Sequence, residues 1–480
     1  MIANNKVFGQ SFFKKIVGCM GQSPCAPSTD GDPPCLRNAL RMWAFNIRKN
    51  VNLIYNIKRI ILMIEKAEFE GFNYIDGGVC AAQGFKANGI QCGLKHEGSI
   101  NTTKKNDLAV IIADKECTAA AVYTTNKVKG APIQVTRENI ADGKAWGVIV
   151  NSVNANTCNA DGVEKAQKMC ELASKEFDLK PSDFIVASTG VIGQPLPIEP
   201  IEKGMPQLCK GVSYTGNTEA VNAIMTTDTM PKECAVEFTL GGKKCVMGGM
   251  LKGSGMIHPN MATTLTFITT DAAVSHEFLQ RALSDVIKTT LNMVSVDGDT
   301  STNDMVCVMA NGMAENNLIA MDNDDFAQFE NALFIVMVNL ARMMARDGEG
   351  ATKLIQCVCA GADSVQTAQT VAKSVITSSL FKAAMFGEDA NWGRILCAIG
   401  YADADFDINR VDVNIASKSG KIAVCRNGAG VEFSEEEAKK ILMEEEITIL
   451  VMLGEGEFNA TAWGCDLTYD YVKINGDYRS

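Results

Sequence analysis

From Tyr74 to the end of the chain, apolar runs of strand length alternate with stretches of helical period, and this pattern confines the fold to a mixed α and β architecture. The strand-like runs are DLAVIIAD from Asp107, WGVIVNS from Trp146, FIVAST from Phe184, TLTFITTDA from Thr264, MVCVMANG from Met305 and LIQCVCAGA from Leu354. Helical patterns separate them: GVEKAQKMCELASKEF from Gly162, TEAVNAIMTT from Thr218, HEFLQRALSDVIKTTLNMV from His276 and a long one from Asp324 to Asp347. Asp324, Glu330, Asn339, Arg342 and Arg346 interrupt the long pattern, so it reads as a buried helix and not as a membrane span. Gly241 and Gly242 divide two β-like runs, which predicts a hairpin with a two-residue turn.

At 480 residues a chain ordinarily divides into two or three domains. A net charge of −11 argues against a protein that covers a nucleic-acid duplex, which needs a basic face, and directs attention to small-molecule partners. The 17 cysteines contain no C-x-x-C pair. Cys357 and Cys359 alternate with apolar residues as in a buried strand, so they read as core, and a reducing cytoplasm is the natural compartment. The three histidines, His96, His258 and His276, stand alone, which excludes a histidine-rich metal centre. Residues 1–66 differ in character, with ten basic residues against three acidic ones. They read as a basic leader, either an organelle transit peptide or a segment outside the folded enzyme. Met63 offers a shorter start that should suffice for folding and turnover.

Five loops could carry chemistry. LKGSGMIHPNMATTLTFITTDA, from Leu251 to Ala272, passes abruptly from a polar, Gly-rich stretch into an apolar run that opens with Thr263 and Thr264. Such a loop is one way to expose a hydroxyl at a strand start, although the residues alone favour an ordinary loop entering a strand. ASTGVIGQPLP, from Ala187, places Thr189 and Gly190 at a strand end, where a backbone N–H can face an anion. VSVDGDTSTNDM, from Val294, gathers Asp297, Asp299, Asn303 and Asp304; its spacing is wrong for a calcium loop, and turn-building by these side chains is expected. ARDGEGATKLI sets Glu349 in a Gly-flanked turn at the end of the long helix, and GEDANWGRILCAIG reads as a corner around Trp392.

Together these segments resemble the ornithine acetyltransferase family, also called glutamate N-acetyltransferase, from about Asp76 to Ser480. The resemblance rests on six motifs in order: YTTN from Tyr123, NSVNAN from Asn151, ASTGVIG from Ala187, KGSGMIHPNMAT from Lys252, DGDTSTND from Asp297 and GEDANWGRI from Gly387. It implies an α/β fold of the self-cleaving N-terminal-nucleophile type, related to the aminopeptidase with an N-terminal Ser. It also implies a precursor that cuts itself between Ala262 and Thr263. Residues 67–262 would form an α chain and 263–480 a β chain, two of each in a heterotetramer.

The same resemblance makes Thr263 the nucleophile, with its freed α-amine as base, and Thr189 and Gly190 the oxyanion hole. Substrate contacts carry over to Thr229, Lys252, Thr263, Glu349, Asn475 and Ser480. The implied reaction moves acetyl from N2-acetyl-L-ornithine to L-glutamate in arginine biosynthesis. No cofactor is implied, and bifunctional members also take acetyl-CoA as co-substrate. The chain departs from the family pattern at Val153, Ala390, Gly476 and His258. His258, five residues before Thr263, is either a perturbation of cleavage or an exposed loop residue without consequence. Rival readings are an autoproteolytic amidohydrolase and a non-catalytic amino-acid binder.

Overall fold

The computed structural model describes residues 69, 71–94, 105–258 and 264–477. The leader 1–66, the Ala262–Thr263 bond and Ser480 lie outside the described residues.

The first half of the chain supplies β1 (Asn73–Ile75), β2 (Phe85–Ile90), β3 (Leu108–Tyr123), α1 (Ala131–Asn139), β4 (Lys144–Asn151), α2 (Gly162–Phe177) and β5 (Phe184–Ser188). There follow α3 (Ile198–Lys210), α4 (Asn217–Ile224), β6 (Lys232–Leu240) and β7 (Lys243–Lys252). Beyond residue 263 come β8 (Leu265–Thr270), α5 (His276–Thr289), β9 (Val294–Ser295), β10 (Met305–Ala310), α6 (Asp324–Arg346) and β11 (Leu354–Ala362). The last part holds α7 (Val365–Thr377), α8 (Ser379–Phe386), α9 (Trp392–Gly400), β12 (Asp412–Ser417), β13 (Gly420–Arg426) and β14 (Ala429–Gly430). It ends with α10 (Glu435–Leu442), β15 (Glu446–Met452), β16 (Phe458–Cys465) and α11 (Tyr469–Asp477).

Among the described residues the strands form two sheets. The larger runs β1-β6-β7-β8-β10-β3-β4-β5, with β2 also on β3; the smaller runs β14-β13-β12-β15-β11-β16-β9. The fold is mixed α/β, as the alternating pattern predicts. The expected hairpin is present, with β6 and β7 antiparallel from Leu240↔Lys243 to Lys232↔Leu251. β8, β10 and β11 are buried along their whole length, which is why they read as continuous apolar runs and do not alternate.

The long helix α6 joins the two sheets: it packs on β6 and β7 of the larger and on β11 and β16 of the smaller. Its start is fixed by the Asn323 side chain, which accepts the Phe326 N–H at 2.9 Å, and by Asp324 and Asp325 in the first turn; Arg346 lies in the last. Phe329, Leu333, Val336, Leu340 and Met344 are fully buried along it. The larger sheet takes strands from both sides of residues 259–263, β1 to β7 before them and β8 and β10 after. β8 lies centrally, antiparallel to β7 and parallel to β10.

Candidate active site

The site gathers around the start of β8. Leu265, its first residue, is paired on one side with Lys252, the last residue of β7, and on the other with Met305, the first of β10. Thr189, just past the end of β5, shares a small cavity with Lys252, Thr264, Ser301, Asn303 and Asp304. Lys252 Nζ donates to Thr189 Oγ1 at 3.3 Å. A hydroxyl oxygen that accepts from an ammonium leaves its own hydrogen free to donate elsewhere, so this pairing sets Thr189 up as a donor.

The turn after β5 is built for close approach. Gly190 has φ +126°, and a Cβ there would lie 2.1 Å from the Val153 carbonyl oxygen, so only glycine fits. Val191 N–H donates to that same carbonyl at 3.1 Å, and Thr189 N–H donates to the Asn151 carbonyl at 3.0 Å. Asn151 holds the facing turn: its Oδ1 accepts the Asn154 N–H at 3.0 Å, and its Nδ2 donates to Ser188 Oγ at 2.7 Å. Asn303 ties in the third loop, donating to the carbonyls of Ala155 (2.6 Å) and Ser188 (2.9 Å) and accepting from Thr157 Oγ1 (2.6 Å). Three of the sequence motifs thus meet through two asparagines.

Beneath Lys252 lies a fully buried cation that sequence reading missed. Lys232 Nζ stands 2.7 Å from Asp228 Oδ1 and 2.5 Å from Asp347 Oδ2. Asp228 also accepts the Gly253 N–H at 2.8 Å, while Asp347 accepts the Thr229 N–H at 3.1 Å and the Thr229 hydroxyl. Burial alone would raise the Asp228 carboxyl, but Lys232 and Lys252 outweigh it and hold Asp228 below the usual carboxylate range. Burial likewise pulls the Lys252 ammonium below the ordinary lysine value, against the opposing pull of Asp228.

Two residues beyond Asp347, Glu349 N–H donates to the Ser254 carbonyl at 3.0 Å. Its carboxylate packs so closely on Gly255 that a Cβ there would lie 2.3 Å from Glu349 Cδ. Asn475 Nδ2, from α11, donates to Glu349 Oε2 at 2.7 Å. Asp297 builds turns as expected, accepting the N–H groups of Met256 (2.6 Å) and Ile257 (2.9 Å). Asp304 differs: it is buried, and its Oδ2 has no hydrogen-bond partner. His258 is half-buried, with Nδ1 3.0 Å from Ser295 Oγ, and burial, assisted by Lys373, pulls its pKa down to about 4. It therefore stands as a neutral imidazole at neutral pH and not as an exposed loop residue.

The structure thus brings Thr189, Gly190 and Lys252 together, pairs Glu349 with Asn475, and reaches Thr229 through Asp347. Ala262, Thr263 and Ser480 lie outside the described residues. Among the described residues no cluster of three or more His, Cys, Asp or Glu side chains could hold a metal ion, and no helix is long and apolar enough to cross a membrane.

Residues 86–480 match the model of the ArgJ family. The chain belongs to that family. It is 49% identical over 397 residues to arginine biosynthesis bifunctional protein ArgJ 1 of Clostridium acetobutylicum, covering 82% of this chain and 96% of the relative. The arginine biosynthesis bifunctional protein ArgJ of Caldanaerobacter subterraneus subsp. tengcongensis is 47% identical over 407 residues, covering 85% and 99%. The crystal structure of the same-named protein from Bacillus halodurans is 47% identical, with a TM-score of 0.42, and covers 44% of this chain and 97% of that one.

Proposed function

We propose that this chain is a bifunctional acetyltransferase of arginine biosynthesis that moves acetyl from N2-acetyl-L-ornithine to L-glutamate through an acetyl-Thr263 intermediate. The observation that supports this reading is the match to the arginine biosynthesis bifunctional protein ArgJ 1 of C. acetobutylicum, at 49% identity and over 96% of its length. The second activity, acetylation of glutamate by acetyl-CoA, uses the same residues.

Self-cleavage between Ala262 and Thr263 frees an α-amine whose reference pKa of about 7.7–8.0 suits a base for the Thr263 hydroxyl near neutral pH. That supplies the base which a chain with three histidines otherwise lacks. As Thr263 Oγ attacks the acetyl carbonyl, negative charge grows on the acetyl oxygen. The Thr189 hydroxyl, oriented by Lys252 at 3.3 Å, and the Gly190 N–H receive it. Glu349 meets the ornithine ammonium, and Lys252 with the terminal residues Asn475 and Ser480 holds the shared α-carboxylate. Thr229 positions this wall through Asp347. The α chain (67–262) and β chain (263–480) stay together because both contribute strands to one sheet, and two of each assemble in the cytoplasm.

Product analysis tests the reading. Ornithine and N-acetylglutamate should appear in equal amounts when both substrates are present. Free acetate in place of N-acetylglutamate would identify an amidohydrolase, and no turnover with an uncut chain would identify a binder.

A further inference from the structure

Asp304 and Lys252 line the same small cavity at the start of β8, and both are buried. Asp304 Oδ2 is one of two buried side-chain polar atoms among the described residues that lack a hydrogen-bond partner. The other, Gln356 Nε2, belongs to a side chain whose Oε1 accepts from Trp463 and Arg342, and Gln356 does not line the cavity. Of the three donors on the Lys252 ammonium, Thr189 Oγ1 takes one at 3.3 Å. Buried polar groups are almost always paired, so an orphan oxygen that shares a cavity with an ammonium marks a place for a polar group of a ligand.

The backbone fixes Asp304 firmly. Its carbonyl accepts the Thr124 N–H at 3.0 Å, and the next residue, Met305, donates its N–H to the Thr264 carbonyl at 2.7 Å. The Ser301 side chain hydrogen-bonds to the Asp304 carboxyl, and since Oδ2 has no partner, Oδ1 is the oxygen that accepts. Burial raises this carboxyl well above the usual range, against the pull of Ser301 and Lys252, which favours the neutral acid over the carboxylate. A carboxylic acid whose one oxygen accepts from a hydroxyl carries its hydrogen on the other, so Oδ2 becomes an O–H donor. Lys252 is the charged group that bears on Asp304, and Lys252 itself lies in the field of Asp228, Lys232 and Glu349.

We propose that Asp304 is a specificity-determining residue for the substrate's α-carboxylate, its carboxylic acid donating Oδ2–H to one carboxylate oxygen while Lys252 Nζ donates to the other. This inference rests on the reading above that Lys252 holds the α-carboxylate. The chemistry of the two donors selects the ligand: an O–H and an N–H call for a group that only accepts, and an ionised carboxylate does so with both oxygens. An amine or ammonium, which needs acceptors, would leave both donors unpaired, and an ionised Asp304 would repel the carboxylate. Hydrogen bonds to a charged acceptor are the strong ones, so the pair distinguishes an α-amino acid from the same molecule without its carboxylate. Acetylornithine, ornithine and glutamate all carry that group, so one device serves both halves of the exchange. No proton is transferred; it stays on Asp304.

The test compares two unreactive ligands, L-ornithine and putrescine, which is ornithine without its carboxylate. Calorimetry on the purified protein, with no acetyl donor present, reads both dissociation constants. Asp304→Ala removes the donor, so the Kd for ornithine should rise about ten- to a hundredfold, the loss of one hydrogen bond to a charged group, while the Kd for putrescine stays where it is. Asp304→Asn, which can place an N–H where the O–H was, should recover most of that loss. If Asp304→Ala does not fold, infrared difference spectra of wild type against the isosteric Asp304→Asn carry the test. They should show a protonated-carboxyl band that ornithine shifts and putrescine does not. An equal loss of both ligands in Asp304→Ala, no loss of either, or a wild-type spectrum showing Asp304 ionised would overturn this proposal alone. A wild type that binds putrescine as tightly as ornithine would overturn the α-carboxylate reading of Lys252 and this proposal with it.

Discussion

Replacing Lys232 with Met removes the one cation placed between two buried carboxylates. Lys232 and Asp228 have no exposed side-chain surface and Asp347 has 3%, so water cannot take over the lost interaction. Breaking a buried ion pair by deleting one partner costs about 3–5 kcal/mol, because the remaining charge is left unpaired in the interior. Against a typical total stability of about 5–15 kcal/mol, that is a large fraction. A melting temperature lower by several degrees should therefore be measured by scanning calorimetry at pH 7. The effect also has a pH signature. In the wild type the depressed Asp228 pKa contributes stability that is fully present above the ordinary carboxylate value and is lost as pH falls through the folded value. Lys232→Met lacks that contribution, so the two melting curves should converge as the pH drops below about 4. Because Asp347 holds Thr229, the variant should also bind acetylornithine more weakly. Equal melting temperatures at pH 7 would refute the argument that this cation holds the site together.

Gly190→Ala places a Cβ 2.1 Å from the Val153 carbonyl oxygen at φ +126°, so the turn must shift and carry the residue 190 N–H off target; kcat should fall about a hundred- to a thousandfold, with wild-type kcat refuting the assigned role. Thr189→Ala removes the hydroxyl that Lys252 orients, and kcat should fall by about ten- to a thousandfold with KM little changed. Asn475→Ala frees Glu349 Oε2 from its 2.7 Å partner at a partly exposed position; steady-state kinetics should show KM for acetylornithine raised by about three- to tenfold and kcat retained, since a hydrogen bond to a charged group contributes about 1.5–3 kcal/mol at most.

Much of the fold was legible because local patterns and burial agreed. The α2 pattern runs from Gly162 to Phe177 in both sequence and structure, its end set where Asp178 turns left-handed at φ 56°. The apolar run of β3 ends in sequence at Asp114, where Lys115 and Glu116 break it; the strand nevertheless continues to Tyr123, with a register shift against β4 between Ile112 and Cys117. The strands β12, β13 and β15 carry charged or polar residues at their ends, which interrupts the apolar run in sequence, and their middles are buried by pairing within the smaller sheet. Thr189, Gly190 and Lys252 were found through motifs. Lys232 was not: in PKECAVEF it looks like an exposed strand start, and its burial depends on Asp347, distant in sequence. In sequence Asp304 is indistinguishable from its turn-building neighbours, and only the packing separates its unpaired oxygen from the well-bonded Asp297.

The central claim is that acetyl rests on Thr263 between the two substrates. Intact-mass analysis of the protein mixed with N2-acetylornithine, glutamate omitted, tests it most directly. The account predicts a fragment beginning at Thr263 that carries the mass of one acetyl group, lost on adding glutamate with release of N-acetylglutamate, while Thr263→Ala stays whole and unmodified. A full-length, unacetylated chain that still turns over when glutamate is added would contradict it.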